Sequence, residues 1–242
     1  MKIIFVALFA FSCTANAAIR TWTNTLGGNW FSPINWSPNG VPGTIDTVNI
    51  TNDGTYTVSI PTGTVAVASI NLGGSSGTQT LAFDTSETLT NAGSIRANGI
   101  LNMSNGSLLG SVVVQPGGQI IFSSPGNKFL NAFTLINQGT VTWTDGQLLN
   151  GGQPATVISN GGQWLITGNN PFSPNAGQTN TPVWINTGLL RPCGGSGASQ
   201  ISNFNFANLG GGTVDTQFGT LRFGGGTRTL LGGTFTASSG AL

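Results

Sequence analysis

Short apolar runs bounded by Gly, Asn or Ser recur along the whole chain, among them Val65-Ala66-Val67-Ala68-Ser69-Ile70, Val112-Val113-Val114 and Ile120-Ile121-Phe122. They are rich in β-branched residues. Beyond the first segment no stretch of helical length shows 3.6-residue apolar spacing, so the chain is predicted to be almost entirely β. The punctuation repeats as well. Asn-x-Gly followed by an apolar stretch occurs at Asn91-Ala92-Gly93-Ser94-Ile95, Asn137-Gln138-Gly139-Thr140-Val141, Asn186-Thr187-Gly188-Leu189-Leu190 and Asn208-Leu209-Gly210, with variants at Pro116-Gly117-Gly118 and Asn160-Gly161-Gly162. The anchors at 91, 116, 137, 160, 186 and 208 lie 21 to 26 residues apart. A period of about 23 accommodates one coil of three short strands and three turns, and is half of what a propeller blade needs.

The predicted architecture is therefore all-β: a right-handed parallel β-helix, or β-solenoid, of about 23 residues per coil and about eight or nine rungs. Asn98-Gly99, Asn105-Gly106, Asp145-Gly146, Asn150-Gly151 and Asn160-Gly161 are read as corners, because positive φ costs little only for Gly, then Asn. The same dipeptides close hairpins in a β-sandwich, the competing reading; the regular anchor spacing favours coils. Where Asn recurs at equivalent corners, its amides are expected to stack as a ladder along the rod.

Three regions are expected. Lys2, the apolar run Ile3 to Phe11 and the small-residue stop Ala15-Asn16-Ala17 give residues 1–17 the form of a secretory signal peptide. The run is too short for the ~20 residues of a membrane span, so export with cleavage after Ala17 is expected rather than membrane insertion. Residues 18–48 concentrate Trp22, Trp30 and Trp36 with Pro33, Pro38 and Pro42, and are read as a cap over the first rung. Residues 49–242 form the solenoid. They finish inside a repeat-like phrase, Gly232-Gly233-Thr234-Phe235, so continuation into a longer protein is expected.

Charge narrows the function. Charged residues make up 5% of the chain; without Lys2, six Lys and Arg face six Asp and Glu. No basic cluster exists, which disfavours nucleic acid and anionic membrane surfaces as partners. Only Cys193 remains once Cys13 leaves with the signal, so no intrachain disulfide forms. Histidine is absent, which removes Ser-His-Asp, Cys-His and most zinc arrangements. Asp84 and Glu87 are the one close acidic pair and read as a solvated turn; Asp46, Asp53, Asp145 and Asp215 are scattered. The glycine phrases lack the Gly-Lys-Ser/Thr ending of a phosphate loop. No catalytic residue, metal or cofactor is assigned, and an enzyme is not expected. Aromatics are the remaining candidates: Trp143, Trp164 and Trp184 sit on or beside predicted strands. Facing outward they would form a stripe able to stack on sugar rings; facing inward they fill the core.

Two stretches carry a resemblance. Trp22-Thr23-Asn24 through Gly28-Asn29-Trp30, Asn35-Trp36-Ser37, Val41-Pro42-Gly43 and Asp46-Thr47-Val48 resembles the opening of secreted, autotransporter-passenger-like bacterial β-helix proteins. Phe206-Ala207-Asn208-Leu209-Gly210-Gly211-Gly212-Thr213-Val214, with Phe218-Gly219-Thr220-Leu221-Arg222-Phe223 and Gly232-Gly233-Thr234-Phe235, is similar to filamentous-haemagglutinin-type repeats. The resemblance implies a right-handed β-helix displayed outside the cell, for adhesion to glycans or to host and matrix surface molecules, or for surface coating. The alternative is a carbohydrate-binding module or the inert part of a polysaccharide-degrading enzyme.

Overall fold

A computed structural model describes residues 16–91, 93–238 and 241. Of the expected signal peptide, residues 1–15 lie outside these. The chain winds into a β-solenoid of about nine turns, each contributing one strand to each of three faces. One turn shows the plan: Val157–Asn160 lies on face one, Gln163–Ile166 on face two and Pro171–Pro174 on face three. Val183–Asn186 then returns to face one, directly on Val157–Asn160. Face two is a single ten-stranded sheet; faces one and three merge into one of seventeen strands. They merge because Gly106–Val114 and Lys128–Asn137 run on through the corner between them, where Ala132 is an extra residue at φ 49.

Every pairing between named strands is parallel except that of Ile19–Trp22 with Trp36–Ser37. The coil length follows the register. Val48, Ile70, Gly93, Val112, Leu135, Ile158, Trp184, Phe206 and Arg228 occupy one column of face one. Turns are about 22 residues long, close to the period of about 23 read from the sequence.

Strand alternation sends every second residue inward, and stacking converts those positions into columns. On face two one column runs Val58, Leu81, Leu101, Ile120, Val141, Trp164, Leu190, all at 1% exposure or less. At the N-terminal end Trp22, Trp30 and Trp36 are buried and meet edge-on, with ring centroids 4.9 and 4.8 Å apart. Two of their indoles are hydrogen-bonded, Trp22 Nε1 to the Asn24 carbonyl and Trp36 Nε1 to that of Trp30, so these large rings are buried with their N–H groups satisfied.

The expected amide ladder is present. Asn137, Asn160, Asn186 and Asn208 are stacked at the end of face one, each fully buried. Each Nδ2 donates to the Oδ1 of the next, at 2.7, 2.7 and 2.8 Å. In the four preceding rungs the same column holds Ile50, Leu72, Ile95 and Val114. The ladder thus replaces an apolar column halfway along the rod.

Two corner readings need correction. Asn91-Ala92-Gly93 does not share the position of the other anchors: Asn91, at φ 61, turns the chain into face one, whereas Asn137, Asn160, Asn186 and Asn208 turn it out. Asn150-Gly151 is the end of the strand Leu148–Gly151, and Gly152, at φ 75, makes the bend.

Candidate functional site

The side chains suited to chemistry are largely engaged in holding the coils together. Trp143, Trp164 and Trp184 are 0% exposed, which corrects the reading of a ligand-stacking stripe. Alternation is the cause: Trp143 shares a strand side with Val141, Trp164 with Ile166, and those sides face the column. Trp164 and Trp184 lie 4.5 Å apart, and Phe172 bridges Trp143 and Trp184 at 6.1 Å to each. None of these three tryptophans has a ring face free for a sugar.

Glu87, expected in a solvated turn, is fully buried. Its carboxylate accepts from the Thr85 N–H at 3.0 and 2.9 Å and from the Thr85 hydroxyl at 2.6 Å, closing its own turn, while Asp84 beside it is exposed. Two rungs on, in the same column, Lys128 is also fully buried. Its Nζ donates to the Ser124 carbonyl and, at 2.9 Å, to that of Asp145, tying together the corners of successive turns. Burial pushes this amine down to about 8, with Asp145 opposing. Nothing in the spacing of Glu87 and Lys128 marked them as interior, since charged residues normally face water.

The remaining acids serve turns and strands. Asp46 accepts from the N–H groups of Ala18 and Gly43 and pairs with Arg20 at 3.3 Å; burial raises its pKa, but these donors outweigh it and hold the carboxyl below its ordinary range. Asp215 is held low by the Thr236 hydroxyl at 2.7 Å and pairs with Arg191 at 2.9 Å on the outer side of face two. Cys193 is a half-buried free thiol whose pKa burial raises, away from the thiolate reactivity requires. Among the described residues no group of three or more His, Cys, Asp or Glu is placed to hold a metal ion, and no helix is long and apolar enough to cross a membrane.

What remains is the outside of the rod. From Thr47 to Leu209 the strands of face one carry no charged residue, and Ile136 is 39% exposed at its middle. Face two presents hydroxyl, amide and aliphatic side chains, its strands' only charges being the mutually paired Arg191 and Asp215. Comparison with family models, curated proteins and solved structures found no match to this chain. The fold defines the class, a β-solenoid; the haemagglutinin-type likeness rests on the quoted motifs alone.

Proposed function

We propose that this chain is an exported, surface-displayed bacterial rod of structural or adhesin type, and that it is not an enzyme. The carrying observation is the division of labour between inside and outside. The tryptophans and most acids are committed to packing and turns, while three long faces, nearly free of charge, are turned to solvent. Faces of this kind suit broad contact with glycans, matrix or neighbouring cells more than recognition of one small molecule. The signal-like residues 1–17 and the passenger-like motifs support export. The alternative, a carbohydrate-binding module working through outward tryptophans, loses its aromatic platform.

The test is attachment. Beads coated with the folded chain, incubated with host cells or matrix, attach above the level of beads carrying heat-denatured chain, and the purified chain releases no sugars from a panel of polysaccharides. Equal attachment by both beads, or hydrolytic or lyase activity abolished by one point mutation, overturns the proposal.

A further inference from the structure

Along the first four turns the corner between faces one and two holds a groove of about 530 Å3. Its floor is glycine. A Cβ on Gly73 would lie 2.5 Å from the Ala97 carbonyl oxygen, and one on Gly74 2.4 Å from that of Thr51, so the close stacking of these corners requires residues without side chains. It is also braced. The fully buried Gln79 accepts the Gly74 N–H at 2.6 Å and donates to the carbonyls of Gly54 and Ser76, while Asp53 accepts from the N–H and hydroxyl of Ser75 and the N–H of Ser76. Those donors engage the carboxylate of Asp53, which is exposed beside Ser75.

Arg96 lines the groove one turn on from Gly73. Its Nη2 donates to Asn71 Oδ1 at 3.0 Å, and Asn71 Nδ2 donates in turn to Asn49 Oδ1 at 2.8 Å, so an outer amide relay orients the guanidinium. The two ion pairs of the described residues involve other arginines. Arg96 is exposed, and no carboxylate of the described residues pairs with it. Gln115 and Thr51 add an amide and a hydroxyl, and Ala97 and Pro116 a small apolar surface.

We infer that this groove binds a carboxylated saccharide, a uronic-acid unit of a glycan chain, with Arg96 as the carboxylate-recognising residue. A guanidinium with free donors matches a carboxylate in a two-point fork, which an ammonium cannot reproduce. The shallow wall of hydrogen-bonding groups suits sugar hydroxyls, and it offers no deep apolar pocket for a peptide side chain. The inference rests on the surface-contact reading above and gives that reading one ligand class.

Isothermal titration calorimetry of the full chain with trigalacturonate, maltotriose and acetate tests it. Trigalacturonate binds saturably; maltotriose and acetate each bind at least tenfold more weakly, showing that charge and sugar are both read. Arg96→Gln weakens trigalacturonate at least tenfold, Arg96→Lys weakens it severalfold, and Arg222→Gln, on face three, leaves it unchanged, with all three variants keeping the wild-type urea midpoint. No saturable trigalacturonate binding, equal binding by Arg96→Gln, or equally tight maltotriose or acetate overturns the inference. The bead assay separates the two readings: attachment without uronate binding removes this site alone, whereas uronate binding without attachment keeps the site and removes the adhesin role.

Discussion

The amide ladder predicts that one substitution, Asn to Val, costs different amounts at chemically identical positions. Asn160 sits mid-ladder: its Oδ1 accepts from Asn137 Nδ2 at 2.7 Å, and its Nδ2 donates to Asn186 Oδ1 at 2.7 Å and to the Leu189 carbonyl at 3.0 Å. With Val at 160, Asn137 Nδ2 keeps the Gln163 carbonyl at 2.9 Å, but Asn186 Oδ1 loses its ladder donor inside a fully buried column. An orphaned buried acceptor costs about 1–3 kcal/mol and each lost net hydrogen bond about 1 kcal/mol, so Asn160→Val, which removes three bonds and orphans one acceptor, should destabilise by about 4–6 kcal/mol. Asn208 is the last member. Its removal also takes three bonds, the one from Asn186 Nδ2 at 2.8 Å and those to the carbonyls of Gly212 and Thr234 at 3.4 and 3.2 Å, but it strands no acceptor in the ladder, and Asn186 Nδ2 keeps the carbonyls of Gly188 and Thr213, so the cost falls to about 3 kcal/mol. Replacing all four ladder residues by Val removes donors and acceptors together, as Ile50, Leu72, Ile95 and Val114 already do lower in the column, and costs less than the sum of the single changes. Equilibrium urea unfolding followed by tryptophan fluorescence reads these differences, since Trp164 and Trp184 pack in the same turns. Equal costs at 160 and 208, or strict additivity across the four, would refute the ladder as the coupling element.

Further outcomes follow from the interior. Lys128 titrates at about 8 in the fold against 10.5 in the open chain, so between these values the unfolded chain binds more protons and stability rises with pH. Tyr56, fully folded into the core and pushed up to about 12 from 10.0 by burial, acts oppositely: the unfolded chain loses its proton first, and stability falls above pH 10. Urea midpoints should therefore climb from pH 8 toward 10 and then decline, with Lys128→Met flattening the rise and Tyr56→Phe the decline; an unchanged profile in both variants would exclude these two groups as the source. Trp164→Ala should lose about 3–5 kcal/mol through the cavity it leaves, measured by the same unfolding curves, and a loss under 1 kcal/mol would place the ring outside the column. Gly162→Ala puts a Cβ 2.2 Å from the Gly139 carbonyl oxygen, whereas Gly177→Ala, in an open loop at φ 79, meets no atom within 4 Å. Thermal denaturation should show the first as the larger destabilisation, and the reverse order would contradict the stacking of those corners.

The coil was legible because its period is imposed by strand-and-turn geometry and its corners demand Gly or Asn. The three-strand turn, the cap tryptophans and the ladder all follow from that. Register was less legible, since the same Asn-x-Gly phrase suits any corner: Asn91 enters face one while Asn137 leaves it. The direction of the tryptophans was available in principle, because Val141 with Trp143 and Trp164 with Ile166 pair large apolar residues at a spacing of two. Glu87 and Lys128 were not, as only the fold supplies the Thr85 donors and the stacked carbonyls that let a charge-bearing group sit inside. The Arg96 groove likewise depends on which corners stack, information that four turns of sequence hold only once the register is known.

Surface labelling of intact cells producing the chain tests the central proposal most directly. An antibody against an epitope inserted in the exposed loop around Gly177 should label the chain without permeabilisation, or find it shed into the medium, with the mass of a chain beginning at Ala18. Labelling that appears only after the cells are opened, on a chain that still carries residues 1–17, would contradict export and with it the surface role.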